Sequence, residues 1–132
     1  MKNYNPWSLL VVINLAVLSG IQYWRESTGF EDFSVLKGSG PNLVAVPILC
    51  FGIFMFIYHD KREPETIRNQ QKLNRVFLWS LALSVIISVV WEFLQLSGNL
   101  VFDRRDLGFV GLGAVLSVFY FYFLRPWHFS TQ

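Results

Sequence analysis

Read for the spacing of its apolar and polar positions, the chain divides into four long apolar runs, 7–24, 41–58, 76–97 and 107–124. Short polar segments separate them. Inside the runs the interruptions are mostly small or weakly polar residues. None of the runs alternates an apolar stripe with a charged face, as a helix on a soluble core does. Each falls in the range of about 17–25 mostly apolar residues that a transmembrane helix requires. The pattern therefore predicts an all-α fold, an integral membrane bundle of four transmembrane helices forming one domain over 1–132. The competing reading, a soluble all-α bundle, would need amphipathic helices that these runs do not supply.

Composition agrees with this picture. Hydrophobic residues make up 53% of the chain, aromatics 17% and charged residues 15%, against about 25% charged in an average soluble domain. The single cysteine, Cys50, lies inside the second run. It excludes an intramolecular disulfide and any Cys/His metal spacing, and reads as a small apolar packing residue. The net charge of +2 comes from residues in the flanking loops, so nucleic acid is not an expected partner. There is no internal repeat and no low-complexity tract.

The N-terminus imitates a signal peptide. Lys2 precedes the apolar stretch Leu9 to Leu18, and "LSG" offers small residues. "IQYW" then carries the run on to Trp24, so a retained helix is the expectation and a cleaved signal the alternative. Trp7 and Trp24 mark its two ends, where interfacial aromatics belong.

Lys and Arg in short loops set orientation. With both termini inside, the cytoplasmic side holds Lys2, Lys61, Arg62, Arg68, Lys72, Arg75 and Arg125. The outside holds Arg25, Lys37, Arg104 and Arg105. The basic segment 59–75 decides for N-in and C-in and reads as a solvated loop. The first outer loop is broken by Gly29, Gly38, Gly40 and Pro41. The second, "GNLVFDRRD", is short and makes the last two helices antiparallel neighbours, with a glycine C-cap before it and Asp106 capping the last helix.

Candidate chemistry concentrates around this second loop. In the third run Ser80, Ser84, Ser88 and Glu92 recur every fourth residue and share one face. In the fourth, Gly111, Gly113, Ala114 and Ser117 form a small-residue face. Ser84 and Ser88 against Gly111, Gly113 and Ser117 is the expected helix–helix contact, with hydroxyls bonding across it. Glu92 lies about 7–8 Å inside its helix end at the rise of an α-helix. An intramembrane ionisable residue costs about 2.5–3.5 kcal/mol at the centre of the bilayer on insertion scales and is a functional-site hypothesis by default. The structural alternative is an ion pair of Glu92 with Arg104 or Arg105.

With antiparallel helices, Glu92, Gln95, Asp103, Arg104, Arg105 and Asp106 are expected to converge in one outward-facing polar site. The arginines suit phosphate or carboxylate, and Glu92 could shuttle a proton. His59 and His128 fall at the opposite side, so no catalytic triad, zinc site or cofactor is expected.

This stretch resembles the VanZ-like family of small bacterial membrane proteins. The shared elements are Glu92-Phe-Leu-Gln95, then Phe102-Asp103-Arg104-Arg105-Asp106-Leu107, then Gly113, within about 76–120. The chain departs from the family at Leu100 and Val110, where the family has arginine and asparagine, and lacks its histidine after Asp60-Lys61. The resemblance implies a multi-pass protein of the bacterial cytoplasmic (inner) membrane with a site facing the cell envelope. It also implies a link to resistance to the glycopeptide antibiotic teicoplanin. Expected partners are membrane lipids and a lipid-linked or glycopeptide ligand, with homo-oligomerisation open. Two alternatives stand beside it. One is an enzyme acting on a lipid-linked substrate through the acidic cluster, with a divalent cation on its carboxylates. The other is a non-catalytic accessory subunit whose polar cluster only locks two helices.

Overall fold

The structure, a computed structural model, describes residues 6–26, 34–58, 66–97 and 104–128. Among them the only regular elements are four α-helices: α1 (Pro6–Glu26), α2 (Ser34–Ile57), α3 (Ile67–Ser97) and α4 (Arg104–His128). All four are long and apolar enough to cross a membrane. Without water in the bilayer core, every backbone N–H and C=O needs an internal partner, and a continuous helix supplies it.

Two helices begin well before their apolar runs. α2 starts at Ser34, so Gly38, Gly40 and Pro41, expected to break the first outer loop, lie inside the helix. Glycine and proline are tolerated in membrane helices where neighbouring groups take up the freed backbone. α3 starts at Ile67, so Ile67 to Arg75 is helix where a solvated loop was expected. Thr66 caps it: the Asn69 N–H donates to Thr66 Oγ1 at 3.2 Å, and the Gln70 N–H donates to the Thr66 carbonyl at 2.9 Å. The residues that follow, Arg, Gln, Lys and Leu among them, are good helix formers. At 31 residues, α3 is roughly 46 Å long, well beyond the roughly 30 Å hydrocarbon core. Its first turns therefore project from the bilayer and carry Arg68, Lys72 and Arg75 into the polar zone.

The helices run alternately up and down, and α2 is the hub. It packs along α1, α3 and α4, whereas α3 and α4 meet over less of their length, α1 and α4 barely touch, and α1 and α3 make no contact among the described residues. At the end where α1 begins and α4 ends, all four helices contribute rings to one core. Phe77 of α3 stacks on Phe121 of α4 at 3.9 Å between centroids. Trp7 of α1 stacks between Phe51 of α2 at 5.4 Å and Phe121 at 5.7 Å. Phe54 stacks on Tyr58 at 5.6 Å, and the Lys72 ammonium lies 5.4 Å above the Tyr58 ring. Trp7 is therefore buried in the core and is not an interfacial anchor. In "FYFYF", Phe121 is likewise buried while Phe119, Tyr122 and Phe123 face outward.

Gly113 sets the α2–α4 spacing. A Cβ there would sit 2.7 Å from the Leu43 carbonyl and 3.0 Å from Val46 Cβ, both on α2. Pro47, one turn on, has no N–H to give the Leu43 carbonyl its ordinary i+4 partner. The glycine hydrogen that replaces a side chain faces this carbonyl. The small-residue face of α4 thus closes on α2, not on the serine stripe of α3 as expected. Gly111 is exposed, with nothing within 4 Å of a Cβ, so the packing expected of it is not found within the chain.

Candidate membrane polar site

The serine stripe is real as a buried face and different in its bonding. Ser80, Ser84 and Ser88 are buried, as is Ser117 on α4. Their hydroxyls donate back along their own helices: Ser80 to the Val76 carbonyl at 2.9 Å, Ser84 to Leu81 at 2.8 Å, Ser88 to Ser84 at 2.8 Å and Ser117 to Gly113 at 2.8 Å. Bonding across to α4 was expected and is not what these hydroxyls do. Their small size instead lets α3 lie close to α2, where Cys50 is fully buried.

The stripe leads to Glu92. Its side chain is 1% exposed. The Asn42 side-chain amide on α2 donates to Glu92 Oε1 at 2.9 Å. Glu92 Oε2 is buried with no hydrogen-bond partner among the described residues. The ion pair with Arg104 or Arg105 weighed from the sequence is therefore not the arrangement seen. Both arginines are exposed at the start of α4, and a neutral amide holds the carboxyl group. Asp106 lies in the first turn of α4. It lies past the helix start, so it adds negative charge to the first turn of the helix dipole.

Of the expected six-residue cluster, Glu92 is buried against Asn42 of α2, and Arg104, Arg105 and Asp106 lie in the first turn of α4. Gln95 is half-buried one turn beyond Glu92, and no hydrogen bond joins the two among the described residues. Asp103 lies outside the described residues, as do the glycine cap at Gly98 and His59. No group of three or more His, Cys, Asp or Glu able to hold a metal occurs among the described residues.

Asn42 was absent from the expected site. A signal for it was available, because it is the one amide or charged residue in the second apolar run. A buried carboxyl group needs a donor, and a search for one at the matching end of the neighbouring run leads to this residue.

Because α1 and α3 stand apart on either side of α2, a groove of about 320 Å³ opens between them at this end of the bundle. Leu18 and Gln22 of α1 form one wall, Ser88 and Trp91 of α3 the other, and Asn42 and Leu49 of α2 the floor. Asn42 therefore faces the groove while its amide holds Glu92. Chemically, the site offers a buried acceptor oxygen lacking a donor, next to a mostly apolar channel with amide and hydroxyl groups along it.

No protein-family model, curated protein or solved structure matches this chain.

Proposed function

We propose that the chain is a multi-pass protein of the bacterial cytoplasmic membrane, N-in and C-in, whose envelope-facing end binds a ligand through a hydrogen-bond donor directed at Glu92. The observation that carries this reading is the carboxyl group itself: 1% exposed, held at Oε1 by Asn42, and lacking any partner at Oε2 among the described residues. An unsatisfied buried acceptor costs about 1–3 kcal/mol, more when charged, and a donor from a ligand removes that penalty. The excess of Lys and Arg at the end bearing the termini supports the orientation. The Glu92-Phe-Leu-Gln95 and Asp103-to-Asp106 elements, similar to the VanZ-like family, support an envelope role against glycopeptides such as teicoplanin or in handling envelope lipids.

The test is teicoplanin susceptibility of a sensitive bacterium expressing the wild type or Glu92→Gln at matched membrane levels. Glutamine keeps the shape and can still accept from Asn42, but removes the carboxylate. Protection by the wild type alone supports the reading. Equal susceptibility at equal levels removes the resistance role. A second reading, a helix lock in an accessory subunit, is favoured by the Asn42–Glu92 bond joining α2 to α3. On that reading Asn42 and Glu92 variants lower the amount of folded protein and leave any effect per molecule unchanged.

A further inference from the structure

We propose that the first turns of α3 bind an anionic phospholipid, with Arg68 and Arg75 on its phosphate and an acyl chain against the apolar continuation of the same helix face. This site lies at the opposite end of α3 from Glu92 and goes beyond the function proposed for that end.

Helical spacing puts both ends of the occupant on one stripe. At 3.6 residues per turn, Arg68, Lys72, Arg75, Trp79, Ile86 and Val90 fall within an arc of about 60°. All six are exposed. Ile86 and Val90 belong to the apolar part of a span, so they face hydrocarbon chains. The first two turns of the same stripe are basic. Whatever lies along it is apolar at one end and anionic at the other, as a phospholipid is and a soluble acidic protein is not.

Depth agrees with this occupant. A hydrocarbon core of about 30 Å takes roughly 20 residues at the helical rise. Measured back from Gln95, where the candidate span ends, the core begins next to Arg75. Lys72 and Arg68 then lie roughly 5 and 10 Å farther out. Lys72 is at headgroup depth, and the long side chains of Arg75 and Arg68 reach it from below and above. Trp79, one turn inside Arg75, sits where interfacial aromatics belong. Ile86 lies roughly 16 Å inside Arg75, within reach of an acyl chain from that leaflet.

Charge selects the headgroup. A recess of about 620 Å³ on these turns is lined by Arg68, Gln71, Lys72 and Arg75, among others. Neither Arg68 nor Arg75 has a side-chain hydrogen bond or ion pair among the described residues. The Lys72 ammonium is held 5.4 Å above the Tyr58 ring, which sets a third cation between them. Segment 59–75 has five Lys and Arg against three acids; all three acids precede the helix, and α3 has none before Glu92. Guanidinium groups hold phosphate oxygens with paired N–H donors, and the Gln71 amide supplies another donor in the same recess. Basic residues next to a membrane helix are drawn to lipids of net negative charge. A zwitterionic lipid would bring an ammonium group to the same cations.

The test places the full-length protein in phosphatidylcholine bilayers. A minor fraction of lipid carries brominated chains, as either phosphatidylglycerol or phosphatidylcholine. Both headgroups hold a phosphate, and only the first has a net charge. Quenching of Trp79 is isolated by subtracting the signal of Trp79→Phe. The wild type should reach half-quenching at about a tenfold lower fraction of phosphatidylglycerol, between the factors expected of one and of two basic residues near the surface. Added salt should shrink that preference. Arg68→Gln with Arg75→Gln should abolish it, whereas Arg68→Lys with Arg75→Lys, which keeps the charge, should retain most of it. If the paired glutamine protein does not fold, Arg75→Gln alone should lower the preference about fivefold. Inorganic phosphate at constant ionic strength should leave the preference in place.

Equal quenching by both lipids in the wild type overturns the proposal. So does a preference that survives loss of the arginine charges, or one that inorganic phosphate removes, which would mark a site for the free anion. The reading of the Glu92 end uses neither arginine, so the effect of Glu92→Gln on teicoplanin protection stands or falls independently.

Discussion

Gly113→Ala is the most direct test of how this bundle is held together. One methyl group would enter a space where a Cβ already lies 2.7 Å from the Leu43 carbonyl and 3.0 Å from Val46 Cβ. The first of these is a backbone atom, so no rotamer change can clear it, and α2 and α4 must separate. Overpacking of this kind costs about 1–3 kcal/mol. Alanine is also the better helix former, by about 0.5–1 kcal/mol. The expected result is a net loss of about 1–2 kcal/mol.

Gly111→Ala, two residues away on the same helix, meets nothing within 4 Å. It keeps the propensity gain alone and should be neutral or slightly stabilising. The assay is reversible unfolding in mixed micelles, titrated with a denaturing detergent and followed by tryptophan fluorescence. Adding Val46→Ala to Gly113→Ala should recover only part of the loss, because the Leu43 carbonyl stays where it is. If Gly113→Ala proves as stable as Gly111→Ala, the close approach of α2 and α4 at this position is wrong.

Asn42→Ala removes the donor to Glu92 Oε1 and leaves both carboxyl oxygens without a partner among the described residues. The expected loss is about 1–3 kcal/mol in the same unfolding titration, and a double-mutant cycle with Glu92→Ala should show the two effects to be strongly non-additive; simple additivity would mean the pair does not interact. Phe121→Ala opens the ring stack shared with Phe77 and Trp7. In water such a change costs about 3–5 kcal/mol. Here the unfolded reference stays in lipid, so mainly the lost packing remains, and a drop of roughly 2 kcal/mol is expected; no change would displace the aromatic cluster as the core.

The membrane spans were legible because their cause is blunt. A hydrocarbon solvent demands long apolar helices, and the runs record it. The beginnings of α2 and α3 were less legible. Gly38, Gly40 and Pro41 are turn signals under the rules of water-exposed chains, yet they sit inside a helix. The basic residues of 67–75 read as loop by charge, although Thr66 and the helix formers after it held the opposite signal. Ring positions gave the same difficulty. Trp7 near a helix end suits an interface or a core equally well, and only the partners on the other helices, Phe51 and Phe121, decide it.

The α4 face shows how far periodicity reaches. Val110, Gly113, Ser117 and Phe121 are buried at helical spacing, so the face could be recognised, but not which neighbour it closes on. The polar site was half legible for the same reason. Glu92 announced itself as a carboxyl group inside an apolar run, and the nearby arginines supplied an obvious but incorrect partner.

The partner actually used changes what the site can do. An arginine would engage both carboxyl oxygens with parallel N–H groups and neutralise the charge, leaving a closed structural pin. The single Asn42 amide engages one oxygen, ties α2 to α3 and leaves Oε2 as an acceptor. The two ends of the bundle differ accordingly. At one, six rings drawn from all four helices fill the interior. At the other, α1 and α3 stay apart, and the gap between them leads to an amide already bonded to a buried carboxyl group. Stability is concentrated at the aromatic end, which frees the polar end to keep an unsatisfied group. If that division is correct, Glu92→Gln should change ligand response far more than it changes unfolding, whereas Phe121→Ala should do the reverse.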